Sequence, residues 1–339
     1  MSEKILVLRL SAMGDVVLTT IFLRALRRRF PDASVHYLTK RLYAPLVEHH
    51  PAVERVIPFD PKSGFEGFRS MARLLRGERY DYFFDLQKNL RSWPWSFYAR
   101  PGHIGRTKKY SFRRRLLTRL GIDLLSGKPD IPAHYVLAGK RFGLRDDGKP
   151  PELFLSAESK SKADELLAGL EEPFWGLIPM ASSFNKRWPH YAALGRLLTE
   201  RHGGTCVVIG GPGEEEECGG IAREIGSAIS LAGQLLPLEI GAVMARCRCA
   251  FGNDTGPMFI ATAVDTPTVA FFGPTDQQIG CYPRGSNVRS LDRDLPCRPC
   301  TRNGLEFCPK GNDIACLRDI PPEEALAAAE SLTGGLQNR

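Results

Sequence analysis

Between Asp85 and Asp123 the chain has no acidic residue, although Lys88, Arg91, Arg100, Arg106, Lys108, Lys109, Arg113, Arg114, Arg115 and Arg119 all fall there. These ten cations exceed the formal net charge of +8, so the remainder of the chain is slightly acidic. The window reads either as a solvated face or as an attraction for an anionic partner: nucleic acid, anionic lipid or a charged glycan. Long apolar runs are also lacking. None approaches the ~20 residues that cross a bilayer, so no transmembrane helix is expected. The opening MSEKILVLRL carries an acid near its start and no small-residue cleavage site. It reads as a strand rather than a signal peptide, and a cytoplasmic location is expected. Nine cysteines, an odd number in a chain of 339 residues, do not make a disulfide framework. In a reducing compartment they are expected as free thiols or metal ligands.

What is present describes a folded globular chain: 43% hydrophobic and 25% charged residues. Its length suits two domains, with the polar, proline-containing stretch Asp146 to Glu152 (DDGKPPE) as the linker, and hence domains at 1–150 and 151–339. In the first half, strand signals at Lys4 to Leu10, Val35 to Leu38, Val53 to Phe59 and Tyr80 to Leu86 alternate with helical segments. The rhythm restarts at Trp175 to Met180, Cys206 to Gly211, Ala228 to Ala232, Cys249 to Asn253 and Thr268 to Phe272. Short apolar strands alternating with helices imply an α/β protein with parallel sheets covered on both faces. A helix with proline and acids at its start is expected over 321–333. Two doubly wound lobes facing across a cleft follow, with functional residues in the loops at the carboxyl ends of strands.

The first such loop, Ser11-Ala12-Met13-Gly14-Asp15, holds one glycine and is neither a GxGxxG fingerprint nor a P-loop. It places the Asp15 carboxylate at a helix start, as an N-cap or as a base. In the second half, Ser182 and Ser183 follow a strand, and Lys186 and Arg187 precede Trp188 and a helix. Small hydroxyl side chains, backbone amides and two cations suit a diphosphate. Trp188 itself reads as core. Glu214, just past the next strand, suits a ribose diol, whereas the acids after it simply favour a helix N-terminus. Asp254, Thr255 and Gly256 form a further strand-to-helix loop.

The stretches KILVLRLSAMGDVVLTT, PAVERVIPFD, DLQKNLRS, KRWP, FGNDTGPM and VAFFGPTD, in this order, resemble glycosyltransferase family 9, the ADP-heptose:lipopolysaccharide heptosyltransferases. The resemblance implies a GT-B fold of two Rossmann-like lobes, with the acceptor on the N-terminal one and the nucleotide sugar on the other. It also implies transfer with inversion and no catalytic metal. Carried over residue by residue, Asp15 is the expected general base. Ser182, Ser183 and Lys186 are expected donor diphosphate and sugar contacts, Arg187 an additional cation there, and Glu214 the ribose ligand. Asp254, Thr255 and Gly256 fall where the family holds sugar and phosphates. Phe259 stands where family members usually carry His, which bears on the donor sugar. The implied donor is ADP-heptose or a related nucleotide sugar. The implied acceptor is an anionic, lipid-borne inner-core glycan, met by peripheral contact with the cytoplasmic face of the inner membrane. Lys108, Lys109, Arg113, Arg114 and Arg115 are candidates for that anion; nucleic acid is not an expected partner.

Two other signals compete. Asp292-Arg293-Asp294 is a DxD string, but it precedes a Pro- and Cys-rich loop rather than closing a strand. Cys297, Cys300, Cys308 and Cys316, in the loop 297–316, can supply four sulfurs to a structural zinc or iron–sulfur cluster, or remain thiols. The expected reaction requires no cofactor. Rival functions on the same two lobes are a transferase of another nucleotide sugar, a nucleotide-sugar epimerase, and a nucleotide- or nucleic-acid-binding protein. Against the last, no aromatic-interleaved RNA motif is present.

Overall fold

The computed structural model describes residues 2–90, 92–108, 110–125, 131–279, 281–311 and 313–334. Two compact units account for the chain, one of residues 1–109 with 131–154 and one of 110–130 with 155–339.

The first unit contains β1 (Lys4–Leu8), α1 (Met13–Leu18), α2 (Thr20–Arg29), β2 (Ser34–Lys40), α3 (Pro45–Glu48), β3 (Arg55–Phe59), α4 (Gly64–Gly77), β4 (Tyr82–Asp85), α5 (Trp93–Ala99) and β5 (His103–Arg106). Its sheet has the order β3-β2-β1-β4-β5, and every pairing is parallel. Ile5 to Leu8 are wholly buried, as a strand must be when helices cover both sheet faces. Helix α2 buries Ile21, Phe22, Leu23 and Leu26 and ends in Arg27, Arg28 and Arg29, where cations meet the negative end of its dipole.

The chain then forms α6 (Ser111–Leu120), which groups with the second unit. It returns to the first in α7 (Ile131–Leu137) and leaves finally after residue 154. The division expected at 150/151 therefore differs in two ways. Residues 110–130 lie with the second unit, where Leu117 and Leu125 pack on Ile279. The stretch 146–152 is also not a loose linker. Arg24 bonds Asp147 at 2.8 Å and pairs with Glu152 at 3.2 Å, and His50 bonds Glu152 at 3.2 Å. The hydrogen bond from Arg24 holds the Asp147 carboxyl well below the usual carboxylate range. Burial pushes Glu152 upward, but His50 and Arg24 outweigh it and its net shift is downward.

The second unit continues through α8 (Ala157–Leu167), β6 (Phe174–Ile178), α9 (Tyr191–His202), β7 (Thr205–Val208), α10 (Glu215–Ile225), β8 (Ala228–Ser230) and α11 (Pro237–Arg246). It ends with β9 (Cys247–Asn253), α12 (Gly256–Ala263), β10 (Thr268–Phe271), β11 (Val288–Leu291), α13 (Ala315–Arg318) and α14 (Pro322–Leu332). Its sheet order is β11-β10-β9-β6-β7-β8, again all parallel. Trp188 is core, as its sequence context suggests: it stacks on Phe271 with centroids 4.1 Å apart, and its indole N–H donates to Ile320 O at 2.9 Å. The terminal helix lies within its expected range.

Candidate functional site

Each sheet starts in the middle, winds outward, and returns to the other side of its first strand. That reversal falls between β1 and β4 in one unit and between β6 and β9 in the other. At such a switch point the loops leaving the two strands diverge and open a crevice beyond their carboxyl ends. Asp15 follows β1, Ser182 to Arg187 follow β6, and Asp254 to Gly256 follow β9.

In the first unit the N-cap of α1 is Ala12 rather than Asp15; Asp15 lies in the first turn, and its Oδ2 reaches back to accept the Ala12 amide at 3.2 Å, so it caps the helix from inside that turn. The carboxylate does more than cap. Arg9, 8% exposed at the end of β1, forms an ion pair with Oδ2, and the Tyr135 hydroxyl donates to Oδ1 at 2.5 Å. The Asp15 side chain nevertheless remains 30% exposed. Arg9 is fixed in turn by donating to Leu86 O at 2.6 Å, and its guanidinium lies 5.4 Å from the centroid of the Tyr135 ring. From the loop after β4, Gln87 Oε1 accepts the amides of Leu10 and Ser11 at 3.1 and 3.2 Å and ties the two loops together. Buried Asp85 shapes the second loop by accepting from the Gln87 and Lys88 amides and from the Ser92 hydroxyl. Arg9, Tyr135, Asp85 and Gln87 had not been singled out. For Asp85 and Gln87 the signal was present, because DLQKNLRS was already a matching stretch.

In the second unit, the loop after β6 brings Lys186 onto Asp254, from the loop after β9. Lys186 Nζ lies 2.6 Å from Asp254 Oδ2 and 3.3 Å from its carbonyl oxygen, with side chains 11% and 12% exposed. Ser183 is buried and Ser182 exposed. Directly after Ser183 the chain makes only a single 3₁₀ turn, Phe184–Lys186; the α-helix begins at Tyr191, beyond Trp188. A 3₁₀ turn offers few aligned dipoles, so anion stabilisation there falls to Lys186 and individual amides. Thr255 is the N-cap of α12 and Gly256 opens it, as expected. Buried Asn253 positions both loops, donating to Pro179 O at 2.7 Å and accepting the Trp188 amide at 3.0 Å. Arg187 pairs with Glu217 at 2.8 Å. Glu214 accepts the Gly211 amide at 2.6 Å, which holds its carboxylate at the end of β7. Phe259 is buried in the first turns of α12 and offers no polar group.

The cysteine loop packs on this site. The Asn185 amide donates to Leu305 O at 3.1 Å, and the Leu305 amide donates to Asn185 Oδ1 at 2.8 Å. At Gly304 a β-carbon would lie 2.6 Å from Ser183 Oγ, so glycine lets the two loops touch. Burial pushes the Cys300 thiol up and the Cys316 thiol up to about 12; Cys297 and Cys308 add to both shifts, and Arg298 opposes that of Cys316. Among the described residues, no three His, Cys, Asp or Glu side chains are gathered as a ligand set. In the DxD string, Asp292 is engaged by Tyr282 and Arg298, and Arg293 by Glu324.

Of the basic candidates, Lys108 is exposed at the end of the first unit and Lys109 lies outside the described residues. Arg113, Arg114 and Arg115 sit on α6 in the second unit. Expected together in the domain 1–150, the basic candidates are therefore divided between the two units.

Residues 68–308 match the sequence profile of glycosyltransferase family 9 (heptosyltransferase). Lipooligosaccharide heptosyltransferase 2 of Haemophilus ducreyi is 30% identical over 305 residues, covering 80% of this chain and 84% of that protein. Lipopolysaccharide heptosyltransferase 2 of Salmonella typhimurium is 29% identical over 80% of this chain and 83% of its own length. The structure of Escherichia coli ADP-heptose lipopolysaccharide heptosyltransferase II superposes with a TM-score of 0.76 at 25% identity, covering 97% of this chain and 98% of the other. A glycosyltransferase family 9 protein of Veillonella parvula shares the fold at a TM-score of 0.82, with 98% and 97% coverage at 23% identity. No described helix is long and apolar enough to cross a membrane. With both sheets wound as in GT-B enzymes and the profile spanning more than half its length, the chain belongs to glycosyltransferase family 9, the heptosyltransferases, and is a glycosyltransferase.

Proposed function

We propose that this enzyme transfers heptose, or a related sugar, from ADP-heptose to an anionic, lipid-borne inner-core glycan, with inversion at the anomeric carbon. What supports the reading is the division of labour between the two switch points: a held but accessible carboxylate at one, a cation among hydroxyls and amides at the other. The acceptor oxygen bonds to the anomeric carbon as the bond from that carbon to the diphosphate breaks. Asp15 takes the hydroxyl proton as the new bond forms, because a carboxylate is too weak a base to take it from a sugar hydroxyl beforehand. Each carboxylate oxygen has two acceptor directions, so the bonds from Tyr135, Arg9 and Ala12 orient Asp15 without exhausting it.

The leaving group is a stable anion and needs no proton from a second acid, unlike a sugar leaving as alkoxide. Lys186 has three N–H donors, two of them engaged by Asp254, and the third is assigned to a diphosphate oxygen. Ser182, Ser183, Thr255 and Gly256 supply further donors, Arg187 a second cation, and Glu214 binds the ribose. Lys108, Lys109, Arg113, Arg114 and Arg115 attract the acidic acceptor, and the enzyme is a peripheral visitor to the cytoplasmic membrane face. The test is a thermal-shift series with nucleotide sugars: ADP-heptose raises Tm with concentration, by about 2.7 kcal/mol of stabilisation at a hundredfold excess over Kd. A larger response to a UDP-sugar reassigns the donor.

No step of this reaction calls on a metal, and Cys297, Cys300, Cys308 and Cys316 are not gathered as a ligand set here, so if the loop closes on zinc or an iron–sulfur cluster the role is structural, bracing the loop against Asn185. Elemental analysis then finds about one zinc, or one cluster by absorbance, per chain. Chelation lowers Tm without changing the chemistry. Metal-free protein with full stability and activity removes the assignment and leaves four thiols.

A further inference from the structure

Seven of the large apolar side chains left exposed on the described residues, Leu90, Trp93, Phe97, Phe112, Leu120, Ile122 and Leu124, fall within or directly beside the acid-free window. Four of them belong to α6 and the turn after it. Helix α6 has the sequence SFRRRLLTRL and no acid. Leu117 anchors one side of it on Leu125 and Ile279, with Tyr110 packed beside them. On the outward arc Phe112, Leu116 and Leu120, spaced i, i+4 and i+8, make an apolar stripe. Phe112 is 71% and Leu120 66% exposed, and Leu116 is half-buried. Arg115 and Arg119 flank the stripe on one side and Arg113 on the other, all three exposed. An exposed apolar stripe is unfavourable in water, and a border of guanidinium groups excludes a cationic or purely apolar protein partner from it. The pattern is that of a helix lying in a bilayer interface, with apolar side chains at the level of the upper acyl chains and arginines among anionic headgroups.

We propose that α6 is an in-plane membrane anchor, docking this enzyme on anionic lipid through Phe112, Leu116 and Leu120. The proposal deepens the peripheral contact named above and is tested without the reaction. In flotation with vesicles of phosphatidylcholine and phosphatidylglycerol at 7:3, and of phosphatidylcholine alone, the wild type binds the anionic vesicles preferentially. Phe112→Ser with Leu120→Ser weakens that binding ten- to hundredfold, since each side chain loses a substantial apolar transfer free energy. Arg119→Glu weakens it at least about fivefold, and more salt, which shortens the screening length from about 8 Å, weakens it further. In Phe112→Trp, indole fluorescence shifts to the blue on anionic vesicles. These positions are exposed, so Tm stays close to the wild-type value. With a soluble acceptor lacking acyl chains, the double serine variant turns over as the wild type does, which separates a failed anchor from a failed assignment of the reaction.

The proposal is overturned by wild-type binding equal on both vesicle types or absent. It is overturned equally by normal binding of the double serine variant, or by loss of binding in Trp93→Ser with Phe97→Ser alone. Tight binding of single-stranded or duplex nucleic acid at physiological salt, with weak vesicle binding, assigns the face to nucleic acid instead.

Discussion

Asp15→Asn lowers turnover by about two to four orders of magnitude while donor affinity stays nearly unchanged. Asparagine keeps the size of the side chain and one carbonyl acceptor. It can still take the Ala12 amide or the Tyr135 hydroxyl, so the loop remains folded. It cannot take a proton, and it leaves Arg9, nine-tenths buried, without its anion. The variant therefore carries a stability cost, and turnover must be compared at a temperature where both proteins are folded. Calorimetric titration with ADP-heptose beside initial rates separates binding from chemistry. Tyr135→Phe supplies the control for positioning. It retains the carboxylate but frees one oxygen from its hydrogen bond, so it lowers kcat far less than Asp15→Asn. Undiminished turnover in Asp15→Asn reduces this residue to the helix cap that its bond to Ala12 already makes it.

Lys186→Ala has two separable consequences. The first is structural: the Asp254 carboxylate, 12% exposed, loses the cation 2.6 Å away. Removing one member of a buried pair costs about 3–5 kcal/mol, because the remaining charge is left desolvated and unpaired. The second is chemical. The diphosphate is charged in the bound donor and more so as it departs, so donor affinity falls and kcat falls by a further factor of about 10²–10³, the scale of losing one donor to a developing oxyanion. Lys186→Met with Asp254→Asn distinguishes them. It removes both charges at similar volume and regains most of the thermal stability, yet the transfer rate stays low. If that double variant turns over like the wild type, the ion pair is a brace between two loops and the diphosphate is held by the hydroxyls and amides around it.

The buried strands were legible because a parallel sheet covered on both faces needs short, continuous apolar runs, as in Ile5 to Leu8 and Cys206 to Val208. Strands β5 and β11 were not, because HIGR and VRSL each carry an arginine and bury a single residue, so neither offers a continuous apolar run. Asp15, Lys186 and Asp254 could be named because each follows a strand, where ligands of such sheets bind. Their partnerships could not. Arg9 looks in sequence like an ordinary charge at a strand end, and Tyr135 lies 120 residues from Asp15. Lys186 and Asp254 were separate candidates 68 residues apart, joined only by the side-by-side placement of β6 and β9. The excursion of α6 to the second unit was equally hidden, because its anchors Leu117, Leu125 and Ile279 lie in short apolar stretches that do not reveal which unit they pack on.

That excursion means the chain passes between the two units three times, after residues 109, 130 and 154. On the ribosome, the first unit is complete only once α7 and the residues up to 154 have emerged, while α6 must wait for Ile279, more than a hundred residues later. The usual way of trading specificity between relatives, joining the front half of one enzyme to the back half of another at a single seam, would here graft one protein's α6 onto another protein's packing surface. A chimera that keeps each unit intact needs residues 110–130 to travel with the back half, as an insert into the front half of its partner.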